Sequence, residues 1–159
     1  MKTIFHITRV IATLAILLPA WNTWAAESIV TSAMVGHWEG NARIIVTWCH
    51  QTSLPVKLDI RADGSVTGTV GDAKLTEGFF ERNRGWLGRT LNLATDYIVR
   101  GNLDGAIVAT EGITRSEVMI PLDFSGRKFA GGINTSGTLF GGKEKMPFSA
   151  TSLTLTRSQ

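Results

Sequence analysis

From Trp38 onward the chain alternates apolar and polar residues in short runs. Trp38, Gly40, Ala42, Ile44, Val46 and Trp48 share one parity, while His37, Glu39, Asn41, Arg43, Ile45, Thr47 and Cys49 share the other, which is mostly polar. Successive side chains of a strand point to opposite faces, so this period predicts one half-buried strand running to Cys49, with both tryptophans inward and the cysteine outward. Leu54, Val56, Leu58 and Ile60 against Lys57, Asp59 and Arg61 predict the next strand, and Pro55 marks an edge or the strand's beginning. Asp63-Gly64 and Gly71-Asp72 are hairpin signals, because both residue types tolerate the positive φ of tight turns. They isolate a short strand over 65–70 and open another over 75–81. Gly101-Asn102 predicts a third hairpin, between 97–100 and 103–109. Val118, Ile120, Leu122 and Phe124 mark a further strand that turns at Ser125-Gly126. Gly131-Gly132, Gly137 and Gly141-Gly142 divide the last third into short segments before a final strand, 148–157. Residues 83–93 have room for one helical turn or a lid-like loop.

This pattern predicts an all-β fold: a small antiparallel up-and-down β-barrel of about eight to ten strands. Closure removes the exposed edges that so many short strands would otherwise leave. The alternative is a two-sheet β-sandwich, which has the same alternation.

The segment before the strands is different. Lys2 and Arg9 precede an uncharged apolar run, Val10 to Ala20, and Thr23-Trp24-Ala25 fits a small-x-small cleavage site. The expectation is a cleaved signal peptide over residues 1–25, a single β-barrel domain over 26–159, and a periplasmic or secreted destination. The apolar run is about half of what a membrane-spanning helix needs, so no permanent membrane anchor is expected. Charge is affected too. Two of the 16 basic residues and none of the 13 acidic ones lie before residue 26, so the remainder is almost neutral. With no basic stripe, nucleic acid is not an expected partner.

Candidate chemistry is sparse. Cys49 is the only cysteine, which rules out an intramolecular disulfide. His37 and His50, on opposite faces of an unbroken strand, would make no metal pair, and Cys49 and His50 would point apart. The aspartates sit near turn signals, where their side chains commonly hydrogen-bond the backbone. No nucleophile elbow, phosphate loop or dinucleotide fingerprint occurs, so neither catalytic residues nor a cofactor are assigned.

Gly36-His37-Trp38 at the head of the first strand resembles the Gly-x-Trp of the calycin superfamily, which includes lipocalins, fatty-acid-binding proteins and avidins. Thr95-Asp96-Tyr97 is similar to the second lipocalin motif, and Arg157 to the arginine that packs over the first-strand tryptophan. Arg115 stands nearer the interval lipocalins use, so both arginines are candidates for that position. The resemblance implies an eight-stranded barrel closed at its base by Trp38.

Three functions fit such a scaffold. The first is a carrier that holds a small hydrophobic or amphipathic ligand inside the barrel, without chemistry. Its ligand-binding candidates are Trp38, Trp48, Phe79 (or its neighbour Phe80), Trp86, Tyr97 and Arg100, with Arg82, Arg84 and Arg89 around Trp86 as a cationic mouth. The second is an envelope interaction protein whose filled barrel binds a protein or a glycan through its outer face or a loop. The third, an enzyme, requires two or more of Asp59, Glu77, Asp96, Tyr97 and Arg100 to converge in one pocket.

Overall fold

The computed structural model describes residues 29–83, 95–136 and 146–158. Among the described residues ten strands form: β1 Gly36–Ile44, β2 Ser53–Ile60, β3 Ser65–Val70, β4 Ala73–Arg82, β5 Tyr97–Asp104, β6 Ala106–Val108, β7 Ile113–Thr114, β8 Glu117–Phe124, β9 Lys128–Ser136 and β10 Phe148–Arg157. Eight of them close into one antiparallel barrel in the order β1-β10-β9-β8-β5-β4-β3-β2, and β6 pairs with β7 as a separate hairpin between β5 and β8. The fold is therefore all-β, and the barrel is up-and-down. Closure follows from β1 and β10, whose ladder runs from Trp38 opposite Arg157 to Ile44 opposite Ala150.

The alternation does the expected work. In β2, Leu54, Val56, Leu58 and Ile60 are buried and point inward. The outer face carries Lys57, Lys74, Arg100, Asn102, Glu117, Asp123 and Lys128. Apolar inside and polar outside is the reverse of a barrel that spans a bilayer.

Several strand glycines stand where neighbouring atoms lie too close for a side chain. A Cβ at Gly68, whose φ is +147°, would lie 1.9 Å from the Lys57 carbonyl oxygen. Gly101 is the instructive case. It is not a turn residue, because β5 runs through it and the chain turns at Gly105, which has φ +95°. Its Cβ would meet the Leu75 Cδ1 at 2.7 Å, so glycine stands there to admit a neighbour. Gly131-Gly132 likewise lie within β9 rather than between strands. The predicted turns at Asp63-Gly64, Gly71-Asp72 and Ser125-Gly126 are present, and Asp63 accepts hydrogen bonds from the backbone N–H and hydroxyl of Ser65.

The first strand stops earlier than its alternation predicts. β1 ends at Ile44, and the chain folds into a loop where the Cys49 N–H donates to the Val46 carbonyl. Cys49 is thereby buried, with 9% of its surface exposed, instead of pointing outward. The lid-like segment expected between β4 and β5, with Trp86, Arg84 and Arg89, lies outside the described residues, as do the expected signal peptide and its expected cleavage site.

Candidate functional site

The barrel interior comes first, because a carrier needs space there. Val56, Leu58, Leu75, Val99, Ile120, Leu122, Leu153 and Leu155 each expose 2% of their surface or less. Side chains lining a ligand-sized cavity would expose area to it, so these walls pack directly against one another. One end is filled by aromatic rings. Trp38 meets Phe129 edge-on with centroids 4.7 Å apart, Phe129 lies 4.7 Å from Phe124 and 5.9 Å from Phe80, and Phe80 lies 5.1 Å from Tyr97.

The segment before β1 covers that end. The Trp38 indole N–H donates to the Met34 carbonyl at 2.8 Å. The Arg157 guanidinium sits 5.3 Å over the Trp38 ring and donates to the carbonyls of Ala33 and Val35. Of the two candidate arginines, Arg157 is the one on the first-strand tryptophan. Arg115 lies at the other end, 5.6 Å over Trp48, and donates to the Met146 carbonyl. Trp48 also meets Phe148, centroids 6.1 Å apart. Ile107 and Val108 of the β6–β7 hairpin are fully buried at that end, and the Asp72 N–H donates to the Ile107 carbonyl.

The six expected ligand-binding residues are thus dispersed. Trp38 and half-buried Tyr97 belong to the aromatic end, and Trp48 to the opposite end. Trp86 lies outside the described residues. Phe79 is on the outer surface while its neighbour Phe80 takes the inward place, and Arg100, expected at the barrel's entrance, stands on the outer wall. A bulge causes the change at Phe79. The β4 ladder shifts between Thr76 and Phe79, and Glu77 sits there at φ +50°, so the parity flips and Phe80 faces inward in place of Phe79. Arg100 alternates with inward Val99 and Gly101 and donates to Glu81 at 2.6 Å.

Outside, Phe79 and Arg100 come together. The strand registers align Phe79 with Arg100, Arg100 with Met119, and Met119 with Asn134, one row across β4, β5, β8 and β9. A second row pairs Asn102 with Glu117, and the Asn102 amide donates to the Glu77 carboxylate at 2.8 Å. These rows floor an open groove of about 630 Å³, completed by Pro147. Phe79, 47% exposed, is its aromatic wall. A second depression of about 430 Å³, with Ile29, Glu81, Arg82, Asn83 and Ile98, shares Arg100 with it.

Glu77 and Arg100 therefore converge, as the enzyme reading required. Each, however, already has a side-chain partner, and both stand on an open surface where water reaches them. Asp59 faces His37 at 3.6 Å on another part of the barrel, and the Asp96 N–H donates to Asp123. Asn102, Glu117, Met119 and Asn134 were not legible as site residues, because reading Gly101-Asn102 as a turn erased the register that aligns them.

A third arrangement joins the loop after β1 to the short 3₁₀ turn Ala109–Glu111. The Glu111 carboxylate accepts the N–H groups of His50 and Gln51, each at 2.9 Å, and lies 3.4 Å from the Cys49 sulfur and 3.3 Å from the His50 Nδ1. Cysteine, histidine and glutamate meet, but not as a nucleophile and base. The thiol donates to the carboxylate rather than to the imidazole, and burial followed by that hydrogen bond pushes its pKa up. A thiol held protonated is a poor nucleophile. Native protein is therefore expected to react with a thiol reagent at least about tenfold more slowly than unfolded protein; equal rates would refute the buried placement.

The same contacts hold the Glu111 carboxyl below the ordinary glutamate range, chiefly through the Gln51 N–H. A depressed folded-state pKa adds stability that is complete above the unfolded value and lost as pH falls through the folded one. Thermal unfolding should show Glu111→Gln below wild type near neutral pH, with the two curves converging below about pH 4. Parallel curves across that window would mean that the carboxylate holds no loop.

The chain matches no family model, no curated protein and no solved structure.

Proposed function

We propose that this protein is an exported, non-catalytic binding module whose filled barrel presents its outer face, at the groove over β4, β5, β8 and β9, to a partner. The observation that carries this reading is the contrast between the two surfaces. Interior walls are packed to near-zero exposure, whereas the outer groove has about 630 Å³ of space and an exposed aromatic ring. Small-ligand sites fall in that size range and combine apolar walls with a few polar groups. The bulge that turns Phe79 outward adds support, since bulges and positive-φ residues such as Glu77 concentrate where a sheet re-aims a side chain for use.

Export to the periplasm or beyond is supported by the layout of residues 1–25. Kinship with the calycins is supported by the closed eight-stranded barrel and by Arg157 on Trp38, with Thr95-Asp96-Tyr97 at the same end. Small hydrophobic or amphipathic ligands held inside remain the competing reading, and one experiment separates the two. Backbone amide shifts recorded against a mixed fragment library and a fatty acid should move Gly101, Asn102, Val118 and Met119 together. Saturable shifts at Leu58, Val99 and Ile120 on addition of the fatty acid would instead restore the interior carrier.

A further inference from the structure

We infer that the groove takes a neutral oligosaccharide, with a sugar ring stacked on Phe79 and hydroxyls held by Asn102, Glu77, Glu117 and Asn134; this rests on the surface-binding reading above. The inference begins with Phe79. A benzene ring has a negative face, and the C–H face of a pyranose is apolar and faintly positive, so the two stack without desolvating a charge. Stacking alone would accept any flat apolar surface. The polar residues narrow the choice.

Around Phe79 stand planar groups already oriented by their neighbours. The Asn102 amide leans on Glu77 at 2.8 Å, and the Asn134 amide oxygen accepts from the Ser149 hydroxyl at 3.2 Å. Each keeps further hydrogen-bonding capacity, since an amide carries two N–H donors and two lone pairs and a carboxylate about four acceptor sites. Hydroxyls donate and accept at once, so adjacent sugar hydroxyls are complementary to a mixed row of amides and carboxylates. Groups fixed beforehand on a rigid sheet lose little freedom when they bind.

Charge argues against ionic ligands. Among the described residues of the groove, the cation Arg100 is matched by Glu81 at 2.6 Å, so the described lining offers no concentrated positive charge to phosphate, sulfate or carboxylate. Length fits an oligomer. Four strands at about 4.8 Å spacing give a floor about 14 Å across, room for more than one sugar ring. Protein partners find less here: the barrel has no free edge for strand addition, and Phe79 is the groove's single exposed aromatic among the described residues.

The test titrates purified protein with neutral tri- and tetrasaccharides of gluco, N-acetylgluco, manno and galacto configuration, and with uncharged tetrapeptides as the contrast. Calorimetry and amide shifts read the binding. At least one saccharide should bind at roughly millimolar affinity or better, shifting Gly101, Asn102 and Met119. Phe79→Ala and Asn102→Ala should each weaken it about tenfold or more, while Phe79→Tyr should retain it. Both residues face outward, so unchanged thermal unfolding would exclude a folding defect. Peptides that shift the groove amides where every saccharide fails would overturn the sugar assignment and leave the groove as a binding site. Saccharide binding that survives both alanine variants, or the absence of any ligand at the groove amides, would overturn the site itself.

Discussion

Trp38→Ala is expected to destabilise the protein by about 3–5 kcal/mol, as large-to-small aromatic changes in a core do. The ring is 2% exposed and edge-on to Phe129 and Phe124, so its loss opens a cavity under two aromatics. It also removes the partner of the Met34 carbonyl and of the Arg157 guanidinium, which together tie the segment before β1 to the end of β10. Trp38→Phe keeps most of the volume and removes the indole N–H, so it should cost distinctly less. Urea unfolding of the two variants checks this. A loss under about 1 kcal/mol for the alanine variant would mean that the tryptophan does not close the barrel.

Gly68→Ala should be of similar size, about 3 kcal/mol, although it adds a single carbon. That carbon would stand 1.9 Å from the Lys57 carbonyl oxygen and 3.1 Å from the Leu58 Cα, and backbone cannot rotate away as a side-chain tip can. The β2–β3 ladder must separate, and the residue must also hold φ +147°, which an L side chain rarely adopts. Overpacking alone reaches about 1–3 kcal/mol, and the backbone strain adds to it. Gly112→Ala is the control. It shares a positive φ of +65° but has open space around it, so it isolates the conformational cost. Equal losses for both would show that crowding contributes nothing.

Period two was enough to place most of the barrel, because a strand with one face buried must alternate. Phe148–Arg157 and the hairpins at Asp63-Gly64 and Gly71-Asp72 lie where alternation and turn chemistry predicted them. Gly101 shows where local reading stops. Glycine is the residue of turns and also of close backbone approach, and only the position of Leu75 on the neighbouring strand separates the two uses. Phe79 and Phe80 show the same limit, since one extra residue at Glu77 exchanges inside for outside.

The sequence by itself determined the strand class, the turns at Asp63-Gly64, Gly71-Asp72 and Ser125-Gly126 and the tryptophan that heads the barrel, because each depends on neighbours a few residues away. Only the tertiary structure decided that the barrel is closed and its core packed, that Arg157 rather than Arg115 covers Trp38, and that Glu111 holds the Cys49 loop across 62 positions of chain. It also decided the groove. Phe79, Arg100, Met119 and Asn134 sit on four strands, and nothing in their spacing along the chain foretells the row; hydrogen-bond register between strands, which bulges and inward glycines set, is what aligns them.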